Sequence, residues 1–292
     1  MHVVLFALNG ALMIVTPLVL GTWLAHRYGA EWGLFGAGAA TFVASQLLHL
    51  PFNAFVGSRY LPGVSRDATG SLLMVGGFYG LSAGVFEESA RYITFRFWRR
   101  DARSWAEGLM VGAGHGGIEA LIVGLLFVAN MAVMLGVEQG YFTALVPPES
   151  LPALETQAAA LFTLPLYETI LGGVERVFTI VVHLALSLMV LRSVRRKSLL
   201  WLLLAISWHA LLDAAVVVTA AHASAVVTEL GVGVFALVSL LLIYAWHENA
   251  GLREEIVGPR RSQSPGASLR LRPDQTVRET DLADRLDDSR YL

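Results

Sequence analysis

Cysteine is absent from the 292-residue chain, which excludes disulfides, thiolate catalysis and Cys-ligated metals. Charge is scarce: Asp, Glu, Lys and Arg make up 15% of the residues, against 55% hydrophobic ones. Many of those charges crowd beyond residue 250. With a mean hydropathy of +0.59, this balance excludes a soluble enzyme and indicates a polytopic membrane protein. No basic segment precedes the first apolar run, Val3 to about Ala25, and that run is too long for a signal-peptide core. It reads as a retained spanning helix. No internal repeat is visible, and no nucleic-acid partner is expected, because the Arg192–Lys197 cluster is a topogenic loop.

What is present is an all-α pattern of seven transmembrane helices. After the first come about Trp32 to Phe55, Gly70 through Trp98, Trp105 to about Leu135, Glu168 to Leu191, Ser198 to Ala220, and Ser224 to Trp246. The stretch between the fourth and fifth spans carries acidic groups, Pro147-Pro148 and no Lys or Arg, with room for a short interfacial helix. Residues 1–250 form the membrane domain on this reading; residues 251–292 are polar and mixed in charge, a disordered cytoplasmic tail. Arg99, Arg100 and Arg103 follow the third span, with Arg96 at its edge, and Arg192, Arg195, Arg196 and Lys197 follow the fifth. Arg253, Arg260 and Arg261 follow the seventh, whereas the loop after the second holds only Arg59 and Arg66. The positive-inside rule then sets the N-terminus outside and the C-terminus in the cytoplasm.

The stretch Val85-Phe86-Glu87-Glu88-Ser89-Ala90-Arg91-Tyr92 lies inside the third span. A carboxylate in hydrocarbon costs roughly 2.5 kcal/mol or more on insertion scales, so an intramembrane pair of them marks a functional site. Arg91 lies one helical turn beyond both, able to neutralise one and leave the other free to act. At about 1.5 Å per residue, Glu88, His115, His183 and His209 lie roughly 14–16 Å from their cytoplasmic helix ends. Four ionisable groups on four helices therefore share one level near the bilayer centre. Slightly further out, Glu119 shares a face with His115, and Asp213 with His209. Arg176 lies at that height, and as a buried cation it is expected to pair with Glu119 or Asp213.

Such a set suits peptide hydrolysis within the membrane. Glu88 (or Glu87) would be the base on water. His115, His183 and His209 would bind a divalent metal, zinc among the candidates, or stabilise the oxyanion directly. Three histidines plus Glu88 suit a tetrahedral site with an open position, although no His-Glu-x-x-His occurs. Arg91, Glu119, Arg176 and Asp213 would orient these groups. Gln46, His49 and Asn53 recur at i, i+3 and i+7 on one face of the second span, where His49 reads as an interhelical hydrogen bonder. Gly112, Gly114, Gly116 and Gly117 read as close-packing positions. Two rival classes share these residues: a non-catalytic membrane scaffold or chaperone, and a proton or metal transporter. The transporter reading lacks the paired inverted repeats and broken helices of that class.

Glu87-Glu88-x-x-Arg91-Tyr92, the Gly-His115-Gly-Gly-x-Glu119-Ala element, Glu175-Arg176 with His183, and His209-x-x-x-Asp213 resemble the YhfC family of intramembrane metalloproteases. His49-Leu-Pro-Phe-Asn53 is similar to that family too, and the likeness runs over about residues 1–250. The resemblance extends to the wider group of type II CAAX prenyl proteases, Abi proteins, PrsW proteases and the seven-helix scaffold subunit of gamma-secretase. In the CAAX branch a di-glutamate with a downstream arginine, a phenylalanine-linked His or Asn, and a His-x-x-x-Asn/Asp make the pattern. Glu87-Glu88 and His209 with Asp213 match its ends; either His115 or His183 fills the middle. The resemblance implies an integral protein of a bacterial cytoplasmic membrane that cleaves a membrane-associated protein or peptide. The scaffold relative means that the fold alone does not guarantee activity.

Overall fold

The computed structural model describes residues 1–61, 69–141 and 146–257, with 248–257 as backbone only. Its helices are α1 (His2–Tyr28), α2 (Trp32–Tyr60), α3 (Thr69–Ile93), α4 (Trp105–Glu138), α5 (Leu151–Thr163), α6 (Leu171–Arg196), α7 (Leu200–His222) and α8 (Ala225–Val257). A π turn, Thr94–Trp98, continues α3, and a 3₁₀ turn, Glu168–Ile170, leads into α6. Among the described residues there is no strand, and seven helical segments are long and apolar enough to cross a membrane. These are the seven expected spans, and α5 occupies the place of the short interfacial helix. The last helix continues to Val257, past the start of the expected tail; residues 258–292 and Arg66 lie outside the described residues.

The outer faces are apolar, as a lipid solvent requires, and the ionisable groups of the spans are held inside among apolar side chains. Leu47, Leu48, Leu125, Leu126, Leu240 and Leu241 are exposed, while Glu87, Glu88, Arg91, His115, His183 and His209 are buried. In the compact unit Met1–Gly251, α6 is the central helix, with every residue from Val182 to Leu191 buried. Along it pack α4 and α7; α3 lies against α7 and α2, and α1 and α2 flank α4.

Small residues set how closely these helices approach. A Cβ on Gly38 would overlap the Val111 carbonyl, and one on Gly114 the Phe35 carbonyl, so α2 and α4 touch backbone to backbone. On α3, Gly80 and Gly84 face the Ala210 and Ile206 carbonyls of α7 at 2.5 and 2.7 Å from an ideal Cβ. Gly116 leaves room for the His183 ring, 2.8 Å from where its Cβ would stand. The glycine-rich run of α4 thus brings His115 beside α6. At the start of α4 a capping box closes the helix: Glu107 N donates to Ser104 Oγ (3.2 Å), and Ser104 N to Glu107 Oε2 (2.7 Å).

Candidate metal centre

The two glutamates of α3, about 100° apart around the helix, face different neighbours. Glu88 and Arg91 are fully buried and form an ion pair. The other oxygen of Glu88 receives His209 Nδ1 from α7 at 2.9 Å. Glu87 turns toward α2 and α4: Gln46 Nε2 donates to Oε1 at 2.9 Å, and His115 Nε2 lies 3.1 Å from Oε2. Arg91 therefore neutralises Glu88 and leaves Glu87 beside His115.

His183 joins the two halves. Arg91 Nη2 donates to its Nδ1 at 3.2 Å, and its Nε2 donates to Glu119 Oε2 at 2.9 Å. Because a guanidinium only donates, the neutral His183 must carry its proton on Nε2. Arg176 pairs with Glu119 at 2.7 Å, the expected partner, and also with Glu175. Asp213 stands apart from this pairing, with Oδ2 3.7 Å from His209 Nε2. A continuous chain of contacts runs from Glu88 through Arg91, His183 and Glu119 to Arg176. In this chain the carboxylates Glu88 and Glu119 each meet a guanidinium, the pairing that low dielectric demands. The rings stay close: His115 to His183 is 5.2 Å between centroids, and His183 to His209 is 5.6 Å.

Among the described residues, Glu87, His115 and His183 can offer ligand atoms that all lie within 4.8 Å of one another. This grouping differs from the expected set of His115, His183, His209 and Glu88. Glu88 is held by Arg91 and His209, so Glu87 is the carboxylate that reaches the histidines. His209 is engaged by Glu88 through one nitrogen and approaches Asp213 with the other. The donor set suits a borderline cation such as zinc, two imidazoles and a carboxylate with room for a fourth ligand. Ligand atoms of a tetrahedral zinc site stand about 3.4 Å apart, close to the 3.1 Å between His115 Nε2 and Glu87 Oε2. The buried His115 Nδ1 has no hydrogen-bond partner. His183 must release Arg91 or Glu119 to take a cation, since both of its nitrogens are engaged.

A cavity of about 380 Å³ opens onto this set. Glu87, His183 and His209 line it, as do Glu119, Arg176 and Asp213; Leu212, Val216, Val217 and Val232 give it an apolar wall. Glu88, Arg91 and His115 are not on the cavity wall. Glu87, Glu88, Arg91, His115, Glu119, Arg176, His183, His209 and Asp213 are joined by these contacts into one assembly. Gln46 was visible only as a member of a polar stripe, and its bond to Glu87 depends on how α2 is rotated against α3.

The model of the YhfC intramembrane metalloprotease family matches residues 12–236. The chain belongs to that family. A Bacillus subtilis (strain 168) relative, described as "Uncharacterized membrane protein YhfC", is 38% identical over 214 residues, spanning 72% of this chain and 82% of the relative. No solved structure matches the chain. Family membership and the seven apolar helices identify an integral protein of a bacterial membrane, with lipid contact along its outer faces. The family match covers all of the site residues, from Gln46 to Asp213.

Proposed function

We propose that this protein is an intramembrane endopeptidase that uses a divalent metal, zinc being the best fit to the donors. The observation that carries this reading is the convergence of Glu87, His115 and His183 beside a cavity that also holds His209. Glu87, His115 and His183 would hold the cation. When bound, the cation acidifies a water and polarises the scissile carbonyl.

The chain's own groups then manage the proton. Glu88 holds the Nδ1–H of His209, a residue of the cavity wall, and leaves Nε2, 3.7 Å from Asp213 Oδ2, as the free nitrogen of a carboxylate–imidazole dyad. His209 Nε2 takes a proton from the attacking water; the water oxygen bonds to the carbonyl carbon. As the carbon–nitrogen bond breaks, the same nitrogen returns the proton to the leaving amine. Arg91 holds Glu88 in place, and the Arg176–Glu119 pair holds His183. The apolar wall of Val216, Val217 and Val232 favours a membrane-associated protein or peptide with apolar side chains at the cleavage point. The positive-inside pattern supports a cytoplasmic C-terminus and an external N-terminus.

Metal analysis of the detergent-purified chain tests the reading without a substrate. About one divalent ion per chain is expected, lost in folded Glu87→Gln and His183→Ala. Newly formed N-termini in membranes of cells expressing the wild type, absent with His209→Gln, would identify cleavage. A metal-free wild type, together with identical N-termini in both strains, refutes the proposal.

A further inference from the structure

A polar network on α2 and α3 extends away from Glu87, and its proton directions are fixed by elementary donor rules. Gln46 Nε2 donates to Glu87 Oε1 (2.9 Å), since a carboxylate only accepts. The amide oxygen of Gln46 must then face His49 Nδ1, which lies 3.2 Å away and has to carry the proton. His49 Nε2 is thereby an acceptor, and Asn53 Nδ2 donates to it at 2.8 Å. Asn53 consequently presents its oxygen to Ser82, whose hydroxyl oxygen lies 2.8 Å from it, 2.9 Å from the Tyr79 carbonyl and 3.1 Å from His49 Nε2; donating its one proton to Asn53 avoids setting two oxygen acceptors 2.8 Å apart. Every donor in the series points toward Glu87. Reversing any one member leaves two donors or two acceptors in contact. Phe86, 5.5 Å from the His49 ring and stacked on it, fixes the plane of the imidazole.

Glu87 is thus held from both sides: Gln46 on Oε1, His115 on Oε2. We infer that Gln46 is the positioning residue for Glu87, and that Ser82, Asn53 and His49 form a one-directional chain whose work is to set the Gln46 amide. The inference rests on the proposed metal site, because positioning Glu87 matters to a cation only if Glu87 helps to hold one. Hydrogen bonds to a ligating carboxylate typically govern metal affinity by about 10–100-fold. His49 also lines the cavity, yet both its nitrogens are engaged by the chain, which assigns it to support rather than to ligation.

The test uses cobalt(II) as a spectroscopic probe on the full chain in detergent, with thermal unfolding recorded for each variant. The wild type is expected to give the d–d bands of a bound ion, and Glu87→Gln to lose them. Gln46→Met keeps the side-chain length and removes both amide groups. It should weaken cobalt binding by about 10–100-fold and shift the bands, with unfolding close to that of the wild type. If Glu87→Gln loses the ion while Gln46→Met binds it as the wild type does, the positioning role is wrong and the metal reading stands. If the wild type binds no cobalt, the metal reading falls and this inference with it. Should Gln46→Met fail to fold, Ser82→Ala, which deletes the first donor of the chain, replaces it. A weaker shift in the same direction supports the chain; binding equal to wild type overturns it.

Discussion

Replacing Arg91 by methionine is the most severe single test of the buried charge network. The Arg91 side chain is fully buried; one terminal nitrogen pairs with Glu88 and the other donates to His183 Nδ1. Methionine of similar length fills much of the space, so the cost is electrostatic rather than steric. Removing one partner of a buried pair leaves the other charge uncompensated, at about 3–5 kcal/mol. Glu88 would keep only its contact with His209. Unfolding of the purified protein in mixed micelles with rising SDS measures the loss. Arg91→Lys should behave almost as badly, because a single ammonium cannot span Glu88 on its own helix and His183 on α6 in the same planar fork. The double variant Arg91→Met with Glu88→Gln, which removes both charges, should recover more than half of the lost stability. A loss below about 1 kcal/mol for Arg91→Met would refute the reasoning, because that is the range of a solvent-exposed pair.

Two further changes probe the frame that carries the site. Gly114→Ala puts a methyl group onto the Phe35 carbonyl and should cost about 1–3 kcal/mol in the same SDS titration as α2 and α4 are pushed apart. Ser104→Ala removes the side-chain acceptor at the N-terminus of α4 and should cost about 1 kcal/mol, read as a lower thermal midpoint with metal content unchanged.

Much of this arrangement was legible in the sequence. Hydropathy gave the spans because a helix in lipid must be apolar over about 20 residues. Counting depth from the basic loops put Glu88, His115, His183 and His209 at one level, and the four side chains do fall in one network of contacts. The rule that a buried cation needs an anion left Glu119 or Asp213 for Arg176, and Glu119 is the one it meets. The roles of the two glutamates did not follow. Glu87 and Glu88 differ by one residue in depth, and Arg91 is within helical reach of either. What separates them is the rotation of α3 about its own axis. The contact of Gly80 and Gly84 with α7 sets that rotation. A period of 3.6 specifies which residues share a face, but not which neighbour that face meets.

The adjacency of the glutamates is itself the economical part of the architecture. One helix supplies a carboxylate to the α2–α4 side, where His115 and Gln46 wait, and another to the α6–α7 side, where His209 waits. The two sides border one another, with the His183 and His209 rings 5.6 Å apart between centroids. Arg91 couples the halves, holding Glu88 with one nitrogen and His183 with the other. A shift of α3 along α7 would disturb both sides at once. That explains why α3 meets α7 through glycines, backbone against backbone, where little sliding is tolerated: a crossing held by direct contact fixes the separation of the two sides more firmly than flexible side chains would.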